Sequence, residues 1–192
     1  FGQLAVYLIN LDRAESRRER MRGVLEATGL AWERVAAVDG RTLRFPLAEF
    51  DSLLYAVLHG RRTIPAEVGC YLSHVACARR LLASEATHAL VLEDDVAFPP
   101  DFRDLLAAAL RAGEHWDILR LSTVNGGPKL AYRALGGGRS LAVALTREKG
   151  AGAYIVNRAA AEWICNRLLP MRLSWDIAFD LEYLSGLRAS FV

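Results

Sequence analysis

The stretch His-Ala-Leu-Val-Leu-Glu-Asp-Asp-Val, residues 88–96, decides the fold of this chain. The short apolar run Ala89–Leu92 predicts a buried strand, and it leads straight into three carboxylates, Glu93, Asp94 and Asp95. In an open α/β sheet, ligands bind beyond the carboxyl ends of the strands. The stretch therefore predicts a central strand that ends in a binding site.

Segments on both sides of this strand alternate between strand and helix patterns. Strand patterns cover residues 4–9, 32–38, 117–121, 140–145 and 153–156. The first helix pattern begins with a capping-box pair at Ser16 and Glu19 and ends at the stop signal Gly29. Further helix patterns cover residues 48–58, 67–83, 101–111 and 158–168. The alternation predicts an α/β domain with a mainly parallel sheet flanked by helices. Ser122–Gly138, rich in glycine and polar residues, predicts a long loop.

Composition limits the protein class. A length of 192 residues suits one domain, and a net charge of +2 does not suggest a nucleic-acid partner. Three cysteines are incompatible with a fully paired disulfide framework and favour a reducing compartment. No run approaches the roughly 20 apolar residues that span a bilayer, so at most a peripheral membrane attachment is expected.

The three carboxylates have a specific chemical interpretation. Glu93 and Asp95 are expected to point to one side of the extended chain and Asp94 to the other. A divalent cation would offset their mutual repulsion, and Mg²⁺ or Mn²⁺ commonly takes carboxylates together with substrate phosphate oxygens. A solvated acidic loop is the alternative.

Several segments resemble glycosyltransferase family 25, which includes bacterial lipooligosaccharide galactosyltransferases and collagen galactosyltransferases. The matching pieces, in order, are VYLINLDRAESRRERM (6–21), RVAAVDGR (34–41), AEVGCYLSHVACARRLL (66–82), HALVLEDDV (88–96) and GAYIVNRAAAE (152–162). The resemblance implies one family domain over residues 1–192, a GT-A fold, a UDP-sugar donor (commonly UDP-galactose) and inversion at the anomeric carbon. A complete member is expected to continue past Val192, with a segment that could carry an acceptor contact or a third metal ligand.

The resemblance also implies a role for each acidic residue. Asp95 is the leading ligand of Mn²⁺ or Mg²⁺, and Glu93 is a second ligand or a donor contact. Asp94 either binds the donor ribose or is structural. Such a cation acts as a Lewis acid on the departing diphosphate.

Further donor contacts are expected from the other matched segments: Asn10, Asp12, Arg13, Arg17, Asp39, Ser73, Tyr154 and Asn157. Arginine forms forked hydrogen bonds with phosphate, which suits Arg13 and Arg17, although Arg17 could instead be solvated helix surface. Turn chemistry with Gly40 is the alternative for Asp39, and a place in the core is the alternative for Tyr154.

His74 and Asp176 are the candidate catalytic residues. His74 belongs to the Leu-Ser-His match and is expected near the donor or acceptor, with a core histidine as the alternative. Inverting transfer needs a base for the acceptor hydroxyl, and Asp176 is the candidate. The neighbouring Trp175 could stack on a sugar ring. The alternative is that Asp176 caps a helix while Trp175 packs in the core.

Three other functions fit parts of the pattern. A nucleotidyltransferase also uses carboxylates at strand ends, but the segment after the first strand lacks its glycine-rich phosphate loop. A non-catalytic sugar-nucleotide-binding homologue would keep the acidic cluster without turnover. Cys70, His74 and Cys77 share a helix face and could bind zinc, although the knuckle-like spacings of structural zinc sites are absent.

The expected partners follow from the resemblance: a UDP-sugar donor and a saccharide or glycolipid acceptor, with no nucleic acid. A lipooligosaccharide or lipopolysaccharide acceptor implies a cytoplasmic location, peripheral at the inner face of the cytoplasmic membrane.

Overall fold

A computed structural model describes residues 3–192. The strands are β1 (Leu4–Asn10), β2 (Glu33–Ala36), β3 (His88–Glu93), β4 (Ile118–Arg120), β5 (Lys129–Gly136), β6 (Arg139–Ala144), β7 (Ala153–Asn157) and β8 (Ala189–Phe191). The helices are α1 (Glu15–Thr28), α2 (Ser52–His59), α3 (Pro65–Ala83), α4 (Phe102–Arg111), α5 (Arg158–Arg167) and α6 (Trp175–Phe179). Short 3₁₀ turns cover Gly40–Thr42, Gly113–His115 and Glu182–Ser185.

The strands in this part of the chain form one eight-stranded sheet in the order β2-β1-β3-β7-β4-β8-β6-β5. The predicted single α/β domain is confirmed, but the sheet is mixed rather than mainly parallel. β1 runs parallel to β2 and β3, and β4 runs parallel to β8. β7 lies antiparallel between β3 and β4, and β6 is antiparallel to both β5 and β8.

The hairpin of β5 and β6 replaces most of the loop predicted for Ser122–Gly138. Gly136, Gly137 and Gly138 all have positive φ (91°, 60° and 75°), which glycine adopts without a steric cost. They reverse the chain and make the pairing antiparallel. Six of the eight residues of β5 are exposed, so the edge strand lacks the apolar alternation by which strands are recognised in a sequence.

The core lies on both faces of the sheet, because side chains alternate along each strand. In β3, Ala89 and Val91 face one cluster, which includes α3 and α5. Leu90 and Leu92 face a second cluster, to which α1 and α4 contribute. All four side chains are fully buried, as expected for the strand that leads to the acidic residues.

Two helix starts differ from prediction in how they are capped. α1 begins at Glu15 with Ala14 before it, and no side-chain cap forms; Ser16 lies inside the first turn, so the predicted capping box is wrong. α2 begins four residues later than predicted, because the Asp51 carboxylate accepts a hydrogen bond from the Leu54 amide and caps it there. The predicted stop at Gly29 is confirmed, with a φ of 64°. Between residues 3 and 192, no helix combines the length and apolar character that a membrane crossing requires.

Candidate functional site

Asp94, the middle carboxylate after β3, is anchored to the end of β1. Its Oδ2 accepts a 2.6 Å hydrogen bond from Asn10 Nδ2, and its Oδ1 lies 3.0 Å from Arg17 Nη1. Arg20 Nη2 also donates to the Asp94 carbonyl at 2.7 Å. Asp94 is 6% exposed, and both carboxylate oxygens have partners within the protein. This geometry favours the structural role over ribose binding.

Asn10 shares that structural character. Its side chain donates to Asp94 and to the Ala14 carbonyl, and its Oδ1 accepts a 3.2 Å bond from Arg34 Nε. It is 1% exposed, so little of its amide is free for a ligand. Asn10 thus joins β1, α1 and the acidic turn.

Glu93 and Asp95 are oriented differently from Asp94. Glu93 Oε1 lies 3.1 Å from His74 Nε2, and the hydrogen bond from His74 lowers the pKa of the Glu93 carboxyl. Asp95 is exposed, and within residues 3–192 no hydrogen bond or ion pair reaches its carboxylate. Of the three acids, Asp95 is therefore the most available to a ligand.

His74 is buried and fixed from three sides. Its Nδ1 lies 2.9 Å from the Tyr154 hydroxyl, and its ring stacks on Trp175 with centroids 4.6 Å apart and planes at 2°. Burial opposes the positive charge of the imidazole. Contacts with Cys70 and Glu93 outweigh burial and raise its pKa to about 9.

Trp175 packs in the core, and the expectation that it stacks on a sugar is wrong. It is 3% exposed and lies between His74 and Phe179, with the Phe179 ring centroid 4.9 Å away. Its faces are covered by protein rings, so its role is to hold His74.

The first cavity, about 730 Å³, opens beside the acidic turn. Its lining includes the predicted residues Asn10, Arg13, Arg17, Asp39, Ser73, His74, Glu93, Asp94 and Asp95. Arg13 and Asp39, both in its lining, form an ion pair, and Asp39 also caps the turn Gly40–Thr42 by accepting from the Arg41 amide. Asp39 therefore has both the turn role and a place in the cavity.

The wall that carries Asp39 is built on α3. A Cβ on Gly69 would clash with the Val38 carbonyl oxygen, and a Cβ on Gly40 would clash with the Pro65 carbonyl oxygen. Ser73 Oγ accepts from the Val38 amide at 2.8 Å and donates to the Gly69 carbonyl at 2.7 Å. Ser73 is 1% exposed, so its hydroxyl ties this wall to the helix rather than facing a ligand.

A second cavity, about 590 Å³, adjoins the first and shares Glu93 and Asp95 with it. Asp176, in the first turn of α6, lines this second cavity. Its Oδ2 accepts a 3.3 Å hydrogen bond from the Gly150 amide. Asp176 does not cap α6 through its side chain, since the residue before the helix is Ser174.

Three predicted donor contacts do not line either cavity. Asp12 is exposed and pairs with Arg34. Tyr154 is 1% exposed and contacts the site only through His74. Asn157 pairs with His88 at the opposite end of β3 from Glu93, where it caps α5 and bonds Asp117. Tyr154 and Asn157 were suggested by the matching segment 152–162, which contains β7, the strand that pairs with β3. Only the Gly152 end of this segment lines a cavity of the site.

Residues that sequence reasoning did not single out also shape the site. Arg34 donates a hydrogen bond to the Asn10 carbonyl, and Arg20 donates one to the Asp94 carbonyl in the acidic turn. In the sequence, the spacing of these two residues resembles that of ordinary surface arginines. Arg120 is 2% exposed; its guanidinium pairs with Asp180 at 2.8 Å and donates to the carbonyls of Glu148 and Gly150. It therefore fixes the segment whose Gly150 amide contacts Asp176. A lone arginine in a short strand pattern is the only sequence signal for this role.

Comparisons with known proteins add to this geometry. Residues 3–127 match the family model described as Glycosyltransferase family 25 (LPS biosynthesis protein). A Drosophila pseudoobscura pseudoobscura protein named Glycosyltransferase 25 family member is 34% identical over 103 residues, covering 51% of this chain and 16% of that protein. Human Procollagen galactosyltransferase 2 is 32% identical over 125 residues, covering 59% and 20% respectively. A Bos taurus protein named Probable inactive glycosyltransferase 25 family member 3 is 29% identical over 200 residues, covering 97% and 33%. The chain thus spans a third or less of the length of these relatives.

Proposed function

The chain belongs to glycosyltransferase family 25, and from this premise we propose that it transfers galactose, with inversion, from UDP-galactose to a saccharide of lipooligosaccharide or lipopolysaccharide. The observation that carries the proposal is that two adjoining cavities share the carboxylates of Glu93 and Asp95. A transferase needs neighbouring sites for donor and acceptor, and the reaction takes place where they meet.

The first cavity is the proposed donor site. Its volume of about 730 Å³ lies within the range of ligand pockets, about 300–1,000 Å³. Arg13 and Arg17 contribute guanidinium groups that can bind the diphosphate through forked, charge-assisted hydrogen bonds. Asp39, paired with Arg13, keeps that arginine at the cavity wall.

A divalent cation fits the acids at the shared edge. The Asp95 carboxylate is exposed and, in residues 3–192, without a protein partner, and Glu93 has one oxygen that is not bonded to His74. Oxygen ligands of this kind suit Mn²⁺ or Mg²⁺, so Asp95 and Glu93 are the proposed ligands. When bound, such a cation would supply Lewis-acid stabilisation of the negative charge on the leaving diphosphate.

Asp176 is the proposed base and the second cavity the proposed acceptor site. As the acceptor oxygen bonds to the anomeric carbon, the bond to the diphosphate oxygen breaks and UDP leaves. The hydroxyl proton passes to the Asp176 carboxylate. The Gly150 amide, 3.3 Å from Oδ2, orients this carboxylate. His74 does not reach the second cavity, and its proposed role is to position Glu93.

The names of relatives support the finer parts of the proposal. Galactose as the sugar is supported by the procollagen galactosyltransferases of Homo sapiens and Danio rerio. A lipopolysaccharide-type acceptor is supported by the description of the family model. Since the chain covers only 16–33% of the proteins compared, the reaction of the whole protein is itself part of the proposal.

Because a glycolipid acceptor lies in the membrane, the proposed location is cytoplasmic and peripheral at the inner face of the membrane. The outer face of α2 supports this attachment, because Leu53 and Val57 are 73% and 68% exposed and Leu54 and Leu58 lie beside them. Arg61 and Arg62 follow this face and are also exposed. An apolar helix face next to basic residues suits an anionic membrane surface.

A second candidate is a homologue that binds UDP-sugars without turnover. The bovine relative matched over 97% of this chain is named as probably inactive, which supports this alternative. Such a protein would keep cation-dependent UDP binding but transfer galactose to no acceptor.

The deciding experiment incubates the protein with labelled UDP-galactose and Mn²⁺, together with oligosaccharide, lipid-linked or peptide acceptors. Transfer to a saccharide acceptor, lost without a divalent cation, is the expected result. UDP binding without transfer or hydrolysis would favour the non-catalytic candidate. Formation of pyrophosphate from UTP and a sugar phosphate would instead indicate a nucleotidyltransferase.

A further inference from the structure

Cys70, His74 and Glu93 bring three kinds of metal ligand together. A thiol sulfur, an imidazole nitrogen and a carboxylate oxygen from these residues all lie within 4.8 Å of one another. Cys70 and His74 stand one turn apart on α3, and Glu93 ends β3. Two ligands at i and i+4 on one helix, with a third from another element, form a recurrent zinc-binding arrangement.

The spacing of these atoms suits a small tetrahedral ion. His74 Nε2 and Glu93 Oε1 are 3.1 Å apart. Two ligands of tetrahedral zinc, with bonds of about 2.0–2.1 Å, stand about 3.3 Å apart. A cation can therefore replace the proton between these atoms with little movement. Cys70 is exposed at the first cavity, so its side chain can rotate to bring the sulfur within bonding distance.

The surroundings of His74 are those of a metal ligand. Its second ring nitrogen, Nδ1, lies 2.9 Å from the Tyr154 hydroxyl. Metal-binding histidines generally use the other ring nitrogen for such a hydrogen bond, which fixes the ring orientation. Stacking on Trp175 restrains the ring further.

Cys77, the third residue of the zinc pattern in the sequence, takes no part in this cluster. It lies on α3, like Cys70 and His74, but its side chain is fully buried in the core. The third potential ligand atom belongs to Glu93 instead, on a strand that the sequence pattern could not associate with the helix.

We propose that Cys70, His74 and Glu93 form a binding site for Zn²⁺, with its fourth position open to the first cavity. The thiolate makes this site selective for zinc over Mg²⁺ and Mn²⁺, which prefer oxygen ligands. It shares Glu93 with the cation site of the proposed function but differs from it in the ligands Cys70 and His74. Zinc binding requires neither a UDP-sugar nor transfer activity.

Co²⁺ is a suitable probe, because tetrahedral Co²⁺ with a thiolate ligand shows a sulfur-to-metal charge-transfer absorption. Titration of the reduced 192-residue chain is expected to give this band at one equivalent of Co²⁺, and Zn²⁺ is expected to abolish it. Cys70→Ser should remove the band. The matched control, Cys165→Ser, should retain it, since Cys165 lies outside the cluster.

Four further variants test the site. Glu93→Gln should weaken Co²⁺ binding at least tenfold, and Tyr154→Phe should weaken it by about 10–100-fold through loss of the hydrogen bond to His74. Asp95→Asn should keep the band, whether or not the protein binds UDP-galactose, and this separates the zinc site from the proposed function. Circular dichroism and thermal unfolding verify that each variant is folded, with Cys70→Ala as a second test of the thiol.

The proposal is overturned if the wild-type chain shows no charge-transfer band. It is equally overturned if folded Cys70→Ser and Cys70→Ala keep the band, or if Cys165→Ser loses it.

Discussion

Asn10 and Asp94, 84 residues apart in the chain, are joined by a 2.6 Å hydrogen bond that connects the ends of β1 and β3. The bond, together with Arg17, commits Asp94 to the protein and leaves Asp95 exposed beside the cavities. Adjacent carboxylates therefore have different tasks: one holds the turn and the other is available to ligands.

The two acids should respond differently to the same substitution. Asp95→Asn is expected to abolish Mn²⁺-dependent binding of UDP-galactose without changing the unfolding temperature, because its carboxylate contacts no partner within residues 3–192. Asp94→Asn is expected to lower stability by about 1–3 kcal/mol, since a charged, buried hydrogen-bond acceptor is weakened. Calorimetric titration and urea unfolding measure the two effects, with the exposed Asp104→Asn as control. Unchanged donor affinity in Asp95→Asn would contradict the proposed cation site.

Asp176→Asn should separate chemistry from binding. A base contributes about 10²–10⁴-fold to the rate, so kcat should fall by that factor while donor affinity changes little. Asp176 lines only the second cavity, which is why the donor site should be spared. Transfer assays and UDP titrations provide the two readouts. Equal losses in both would indicate a structural or donor-binding residue.

Arg120 should be among the most important residues for stability. Arg120→Met leaves the Asp180 carboxylate, 11% exposed, without its main partner, and breaking a buried pair costs about 3–5 kcal/mol. Arg147 also approaches Asp180, at 3.9 Å, but is 53% exposed. Arg147→Met should therefore change stability by at most about 1 kcal/mol. Urea unfolding compares the pair, and similar losses would refute the buried role of Arg120.

Asp117, which lies at the end of the sheet away from the acidic turn, should make the stability of the protein sensitive to acid. Burial raises the pKa of its carboxyl, but hydrogen bonds from Arg188 and Asn157 outweigh burial and hold the pKa below the ordinary 3.8. A lowered folded-state pKa adds stability that is present above pH 3.8 and is lost as the pH falls through the folded value. Urea unfolding should be measured between pH 2 and 6, a range that brackets this ordinary value. Below pH 3.8 the free energy of unfolding should fall more steeply for the wild type than for Asp117→Asn. Parallel curves would argue against the shift.

The exposed face of α2 gives a test of membrane attachment. Leu53→Glu with Val57→Glu should reduce sedimentation with anionic vesicles, because both side chains are largely exposed and apolar. Leu130→Glu, on the exposed edge strand β5, is the control and should sediment like the wild type. Equal sedimentation of all three proteins would mean that α2 does not contact lipid.

The sequence was most informative where apolar patterning and local chemistry agree. β3 with its acidic residues and the Gly29 helix stop were predictable from short-range signals. Strand direction was not, because no local pattern reveals that β7 inserts antiparallel between β3 and β4.

Arg13, Arg17 and Asp95, which the sequence places just after strands, do line the first cavity, and their contacts with a ligand stay predictions. The burial of Trp175 and the position of Asn157 depend on tertiary packing, which periodicity does not encode. The cluster of Cys70 and His74 includes Glu93 rather than Cys77. This also depends on tertiary packing, because a helix pattern does not indicate which strand lies beside the helix.

The place of β7 in the sheet also determines which part of the chain can fold by itself. The family match covers residues 3–127, yet the strand that joins β3 to β4 begins at Ala153. A fragment cut at the boundary of that match would leave two buried strands with open edges, which invite aggregation. The matched segment thus lacks a strand that pairs with β3 and β4, and expression trials should retain the chain through β8.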